Sequence, residues 1–420
     1  MSGLGPRFWR MYAATASSDL ADGIGRTALP LAAAAYTRNP VTIAGLTTFA
    51  FLPWLLLALP SGALVDRVDR RSAMAAANAV RAVTTAALAV IVLSHAGGIV
   101  LLYTAAFLLG AAETVYDSAV RALLPRIVEK GQLDRANSLI TVEETLGQTF
   151  VGAPVGSALF AVAIGLPFLF NAAGFVIAVV LISAVRGSYR PPRDEAPTSI
   201  RTDIAVGVRW LRRHALLRGL TLISATTACA QTMASGLLVL YALEVLHLPP
   251  GRFGFLLMAA GVGAVIGGLA TPPLTRVLGR AIMLPAGSVL AALALGGMSM
   301  TRNGYIAGTF FALSSAGIMV WNVLTMSLRQ SLIPEALFGR VQGAYRTLVW
   351  GSMPLGALLG GVLAGSIGIR GVFAVVGAVQ FLMALVLGGL TSRHRDAMRD
   401  QPTATHGAEV PAPDAATTRR

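Results

Sequence analysis

Apolar positions in this chain run in long unbroken blocks rather than recurring every third or fourth residue. Long stretches without a charged side chain cover 39–65, 82–112, 145–185, 219–243, 253–275, 281–301, 303–328, 347–369 and 371–392. A helix needs about 20 mostly apolar residues to cross the hydrocarbon layer of a membrane. Two of the blocks are too long for one crossing. Each contains a natural break, at His95-Ala96-Gly97-Gly98 and at Gly165-Leu166-Pro167. With a charge-bearing first span, the pattern predicts twelve helices, at 8–36, 41–65, 72–94, 99–121, 138–164, 167–186, 217–246, 253–275, 281–301, 304–328, 341–368 and 371–392.

The longest internal polar interval, 186–214, opens with Arg190-Pro191-Pro192-Arg193 and continues with Ile204, Val208 and Leu211 at helical spacing. This predicts a linker followed by an amphipathic helix on the membrane surface. From Arg393 onward the chain is polar and rich in Pro, Ala and Thr, which predicts a disordered tail. The first 36 residues imitate a signal peptide, with Arg7 and Arg10 ahead of an apolar stretch and Ala14-Thr15-Ala16 as a false cleavage site. The stretch continues through Asp19, Asp22 and Arg26 to Tyr36, so it reads as an uncleaved span.

Composition sharpens the picture. Of 420 residues 55% are apolar and 12% charged, where soluble domains carry about 25% charged. A soluble enzyme, a disordered protein or a nucleic-acid module is therefore excluded for the chain as a whole. The net charge of +14 comes from arginines scattered between apolar blocks. With both termini cytoplasmic, the outer loops hold only Arg38, Arg252, Arg302 and Arg370. The positive-inside rule thus predicts both termini inside, in a bacterial inner membrane. A single cysteine, Cys229, precludes an intrachain disulfide or a cysteine-based metal cluster.

The chain also repeats itself. Arg67 in Asp66-Arg67-Val68-Asp69-Arg70-Arg71 has a counterpart 209 positions on, at Arg276 in Thr275-Arg276-Val277-Leu278-Gly279-Arg280. Leu123-Leu124-Pro125 recurs as Leu332-Ile333-Pro334 at the same offset, and Pro154-Val155-Gly156 recurs as Pro354-Leu355-Gly356 at a slightly shorter one. Two homologous six-helix halves explain the matches, an architecture of transporters whose substrate site lies between the halves. The expected organisation is a bundle at 1–186, a cytoplasmic linker with an amphipathic helix at 187–216, a second bundle at 217–392 and a tail at 393–420.

The segment from Gly62 through Asp66, Arg67, Asp69, Arg70 and Arg71 is similar to the Gly-x-x-x-Asp-Arg-x-Gly-Arg-Arg/Lys signature of the major facilitator superfamily, with Asp69 in place of the second glycine. Within it, Gly110, Glu113, Asp117, Arg121 and Pro125, followed by Leu133, Arg135, Asn137 and Leu139, resemble the bacterial macrolide-efflux and enterobactin-exporter group. The resemblance covers about residues 8–392. It implies an all-α membrane protein with twelve transmembrane helices in two pseudo-symmetric bundles. A run comprising Gly147, Gly152, Pro154 and Gly156 resembles the superfamily's antiporter motif, which points toward export; physically, Gly and Pro permit close helix contact and a bend.

Energy and chemistry remain to be placed. The Walker phosphate loop is absent, and the one lysine, Lys130, stands in Glu129-Lys130-Gly131, so transport must draw on a gradient. Ionisable residues inside spans are functional candidates. Asp22 lies about 18 Å along the first helix from Arg10, near the midplane. Asp22 and Arg26 are four residues apart and can pair, either as a proton carrier tuned by arginine or as a fixed neutral pair. Asp19 and Glu113 are further candidates for proton coupling. Asp117 is expected to pair with the loop of Arg67, Arg70 and Arg71 when the inner side closes, as the resemblance implies. Glu113 and Arg81 would form a second layer; the alternative is a static ion pair that holds the third and fourth helices together. Glu143 and Glu144 read as acids opening a helix.

Gln231, Trp321, Asn322, Tyr345 and Arg346 are candidates for the substrate cavity. Arg346 either binds an anionic group or snorkels to the cytoplasmic surface. Trp54 and Tyr103 read as lipid-facing or interfacial. No nucleophile–base set, metal cluster or cofactor site is visible. The expected function is export of a small lipophilic drug or natural product by proton antiport. A facilitator or symporter for a metabolite or siderophore is the alternative, and a non-transporting membrane sensor or assembly factor a third reading. Expected partners are a small molecule, protons and the bilayer, with the protein acting as a monomer and binding no nucleic acid.

Overall fold

The structure, a computed structural model, describes residues 4–65, 67–94, 98–187, 189 and 200–394. Among these the regular structure is helical and no strand occurs. The helices are α1 (Pro6–Tyr36), α2 (Pro40–Val65), α3 (Arg70–Leu93), α4 (Ile99–Ile127), α5 (Leu133–Glu144), α6 (Ala153–Val162), α7 (Leu166–Ser183), α8 (Ile200–Arg213), α9 (Ala215–Ser235), α10 (Leu238–Leu240), α11 (Phe253–Leu278), α12 (Arg280–Met298), α13 (Gly304–Leu332) and α14 (Glu335–Arg393). A π-helical segment, Thr145–Gly152, joins α5 to α6 into one rod, and a second, Tyr241–Val245, extends α10.

Among the described residues nine helices are long and apolar enough to cross a membrane, and the bent pair Ala215–Ser235 and Leu238–Val245 makes ten. The expected number was twelve. The first expected span carries Asp19, Asp22 and Arg26 within its length and is not counted on composition. The last two run together as α14, with a kink at Gly368, whose φ of 73° only glycine adopts freely. The expected boundary at Gly165 is a genuine helix start, because Pro167 fits the first turn, where its missing N–H is not needed. Of the expected tail, Arg393 still belongs to α14 and 395–420 lie outside the described residues, as does most of the expected linker. The amphipathic helix after it, α8, packs on α14 and α9, with Leu211 buried.

Three apolar clusters organise the helices. The largest joins residues from both groups of helices: Leu31 of α1, Ile43 and Leu46 of α2, Leu102 of α4 and Phe168 of α7 pack in one cluster with Leu237, Tyr241, Phe253, Leu295 and Phe373. At the opposite end, where α1 begins, there are two separate clusters. One holds only residues preceding α8, such as Phe8, Met74 and Leu123. The other holds only residues from α8 onward, such as Leu217, Leu284 and Leu328. The two groups of helices are thus sealed together at one end and part at the other.

Two helix pairings make the seam, α2 with α14 and α6 with α11. Thr48 on α2 donates to the Pro354 carbonyl at 3.3 Å, and the Gly254 N–H donates to Ser157 Oγ at 3.0 Å.

Candidate functional site

Two sets of polar side chains lie inside the assembly. The first is built on α1. Asp22 Oδ2 accepts from Nη1 of Arg81 on α3 at 3.1 Å. Arg81 is only 1% exposed, and the same Nη1 donates to Ser18 Oγ at 3.2 Å; Ser18 donates onward to Asn78 Oδ1 at 3.1 Å. The Tyr116 and Phe175 rings lie 4.8 and 5.3 Å from the guanidinium carbon. A guanidinium withdrawn from water is tolerable only with an opposite charge and hydrogen-bond partners, and Asp22 supplies the charge.

This corrects two expected pairings. Arg26 is exposed and forms no ion pair with Asp22. A spacing of four residues permits that contact on an isolated helix, but the Asp22 carboxylate faces α3, where the buried Arg81 lacks water. Glu113 on α4 lies within electrostatic reach of Asp22 and Arg81 but is not paired with Arg81, whose carboxylate partner is Asp22.

One turn back on α1, Asp19 is buried and its Oδ1 accepts from Gln148 Nε2 at 2.8 Å. Glu143 lies beside it. A methyl group on Gly147 would sit 3.3 Å from Glu143 Oε1 and 3.5 Å from Asp19 Cβ. Among the described residues no donor reaches either Glu143 oxygen. The expectation that Glu143 and Glu144 open a helix fails, because α5 starts at Leu133 and Asp134 is the acid of its first turn. Glu143 is the residue the sequence reading missed. Correct placement of that helix start would have exposed a carboxylate deep inside a span.

The Gly147, Gly152, Pro154 and Gly156 run lies against α1. A Cβ on Gly152 would meet the Gly23 Cα at 2.7 Å and the Leu20 carbonyl at 2.8 Å; one on Gly156 would meet the Ile24 carbonyl at 2.5 Å. The run overlaps the π-helical segment, and such segments recur at functional sites. Its Pro154 is in the first turn of α6.

The loop signature is only partly described. Asp66 lies outside the described residues, Gly62 has open space around it and Arg67 is exposed. Arg71 donates to the Val185 carbonyl at 2.9 Å, so it ties the loop to the end of α7. Asp117 pairs with Arg121 at 3.3 Å on the exposed face of α4, rather than with the loop arginines. Asp69, where the signature has glycine, has an ordinary φ of −66° and caps α3. It accepts from the Ser72 N–H at 3.2 Å and the Tyr189 N–H at 2.7 Å. Partial burial opposes its charge, but these N–H groups and Arg71 outweigh that and hold the carboxyl below its ordinary value.

The second set surrounds a cavity of about 380 Å³ among α9, α12, α13 and α14. Gln231, Trp321, Asn322, Tyr345 and Arg346 all line it, together with Arg329, Gln342 and Gln380, which the sequence reading did not single out. Arg329 escaped because the expected span ended at 328, whereas α13 runs to Leu332. Trp350 also lines the cavity and meets Trp54 of α2 edge-on, at 4.2 Å between ring centroids. Trp54 is therefore packed at the seam, and Tyr103 donates to the Thr42 carbonyl at 2.6 Å. Neither is simply lipid-facing.

A cavity lined by arginines among membrane-crossing helices, in two helix groups joined at one end, is the architecture of a membrane transporter. Solved structures carry the same fold. The nucleoside transporter NupG superposes with a TM-score of 0.73 at 10% identity, covering 92% of this chain and 99% of that one. A bacterial homologue of the iron transporter ferroportin, in its inward-facing state, gives 0.71 at 17% identity, with 93% and 99% covered. The chain matches the transmembrane secretion effector family of the major facilitator superfamily over residues 7–417, and it belongs to that family. Among its relatives, the multidrug efflux pump Tap of Mycolicibacterium fortuitum is 25% identical, covering 91% of this chain and 95% of the pump. An MFS-type transporter of Mycobacterium tuberculosis is 28% identical with 92% of each covered.

Proposed function

We propose that this transporter exports small lipophilic molecules across a bacterial inner membrane by exchange for protons. Residues 1–186 and 217–392 act as two bundles that rock about the α2–α14 and α6–α11 contacts. With both termini cytoplasmic, the parted end faces the cytoplasm, and the loop of Asp66, Arg67, Arg70 and Arg71 engages Asp117 when that end closes. The observation that carries the reading is the Asp22–Arg81 pair, a carboxylate and a guanidinium at 3.1 Å inside apolar helices. Asp22 gives up its proton as it engages Arg81 and takes one up when a shift of α1 against α3 within the first bundle, accompanying the rocking, draws Arg81 away. Asp19 and Glu143 hold a second proton between them. The kinship with named efflux pumps and the close packing of α1 against the Gly147–Gly156 run support export.

Everted vesicles under an inside-acid gradient test this. A pH-sensitive dye should report proton release as lipophilic candidate substrates are added, and Asp22→Asn should abolish the signal. Full proton-driven efflux in that variant would overturn the role of Asp22. A signal from no compound, with uptake by counterflow instead, would overturn export.

A further inference from the structure

The cavity among α9, α12, α13 and α14 is cationic, and among the described residues no carboxylate lines it. Between residues 215 and 394 the sequence has ten arginines and two carboxylates, Glu244 and Glu335. Glu244 lies in the π-helical segment next to the sealed end. Arg329 and Arg346 both reach the cavity, and among the described residues neither has a carboxylate within 4.0 Å. Each instead lies over an aromatic ring: the guanidinium carbon of Arg329 is 3.8 Å from the Tyr345 centroid and that of Arg346 is 4.7 Å from the Trp350 centroid. Stacking occupies the flat face of a guanidinium and leaves its N–H edges for a planar acceptor. Among the described residues the buried Nε of Arg329 has no hydrogen-bond partner. The charges of the other helix group within reach of Arg346 are Arg121 and Asp117, which pair with each other.

Two partly desolvated guanidinium groups, beside Trp321, Trp350 and Met353, suit an anion with an apolar body; among the described residues Arg329 Nη2 donates at 3.5 Å only to Met326 Sδ, a weak acceptor that an anion would displace. Resting on the reading of this cavity as the transport site, we infer that the exported molecule is an amphiphilic organic anion. Its carboxylate, sulfonate or phosphate lies between Arg329 and Arg346, and its apolar part lies on the tryptophans. A lipophilic cation would instead bring like charge against two arginines in a site of low dielectric.

Binding to the purified full chain in a neutral detergent tests this without any gradient. Three probes share one body: 2-naphthalenesulfonate, 2-naphthalenemethanol and 2-naphthylmethylammonium, titrated by calorimetry. The sulfonate should bind at least about tenfold more tightly than the alcohol, and the ammonium more weakly than either. Arg329→Gln with Arg346→Gln should remove the sulfonate preference over the alcohol, and an unchanged helical circular-dichroism spectrum and elution volume show that the variant is folded. The corresponding Lys variants should recover part of the preference. Equal binding of the three probes, or a preference for the ammonium, would overturn the inference. So would an undiminished sulfonate preference in the double Gln variant. Displacement of the sulfonate by phosphatidylglycerol but not by phosphatidylethanolamine would assign the site to a lipid headgroup and overturn the solute. Selective binding with no proton exchange in vesicles would leave this inference standing and remove the antiport reading.

Discussion

Arg81 reaches Asp22 from α3 to α1 with a single nitrogen, Nη1, and its Nε and Nη2 are buried without partners. The pair is therefore held by one contact rather than the two-pronged contact a guanidinium can make. Such a contact is released more readily than a bidentate one, as a pair that must open and close in each cycle requires.

Removing one member of this pair leaves the other buried and alone. Arg81→Gln should lower stability by about 3–5 kcal/mol, and Asp22→Asn together with Arg81→Gln should recover much of that loss. Thermal unfolding of the purified variants measures both, and additive losses would show that the two residues do not act as a pair.

Among the described residues no side chain makes a hydrogen bond to either Glu143 oxygen, so an uncharged amide in its place costs the fold little. Glu143→Gln should unfold within a few degrees of the parent yet exchange fewer protons per substrate molecule. Simultaneous dye and substrate flux in vesicles gives the ratio. An unchanged ratio would confine proton exchange to Asp22.

The glycines of the tight contacts should differ sharply from those in open space. A Cβ on Gly254 would run into the Ala153 carbonyl, across the seam between helix groups, whereas Gly62 has nothing within 4 Å. Gly254→Ala should destabilise by about 1–3 kcal/mol and slow transport, since backbone must move. Gly62→Ala should leave thermal stability nearly unchanged.

Asp69 gives a dependence on pH. Its carboxyl is held below the ordinary value of 3.8 in the folded chain. Its charge therefore stabilises the fold fully above that value, and the contribution fades as the pH falls through the lower, folded-state value. Asp69→Ala should cost about 0.5–2 kcal/mol near neutrality by removing the cap of α3. The difference from the parent should shrink in acid, as unfolding measured across that range would reveal.

Helices crossing the bilayer were legible because uncharged length is a direct physical requirement. The cavity residues Gln231, Trp321, Asn322, Tyr345 and Arg346 were legible as polar or aromatic side chains inside such lengths. Pairing was not. Arg26 and Arg81 are equally good partners for Asp22 in composition, and only the packing of α3 on α1 selects Arg81. Glu143 and Arg329 were hidden by misplaced helix ends, because helices in this chain continue several residues beyond their apolar blocks. The cap that Asp69 makes with the Ser72 N–H is local, but its tie to the Tyr189 N–H was invisible because that residue is 120 positions away.

The sealed end has a further consequence. Where the two groups of helices touch there, the partners are small: Gly361 against Ala44, Gly254 against Ala153, Gly251 against Ala161 and Gly236 against Thr47. Backbones come close at these crossings, and larger apolar side chains of both groups, such as Leu46, Leu237 and Phe253, close around them. Opening this end means parting the backbone crossings and the surrounding leucine and aromatic contacts together, so the two openings exchange as discrete states whose balance substrate and protons tip.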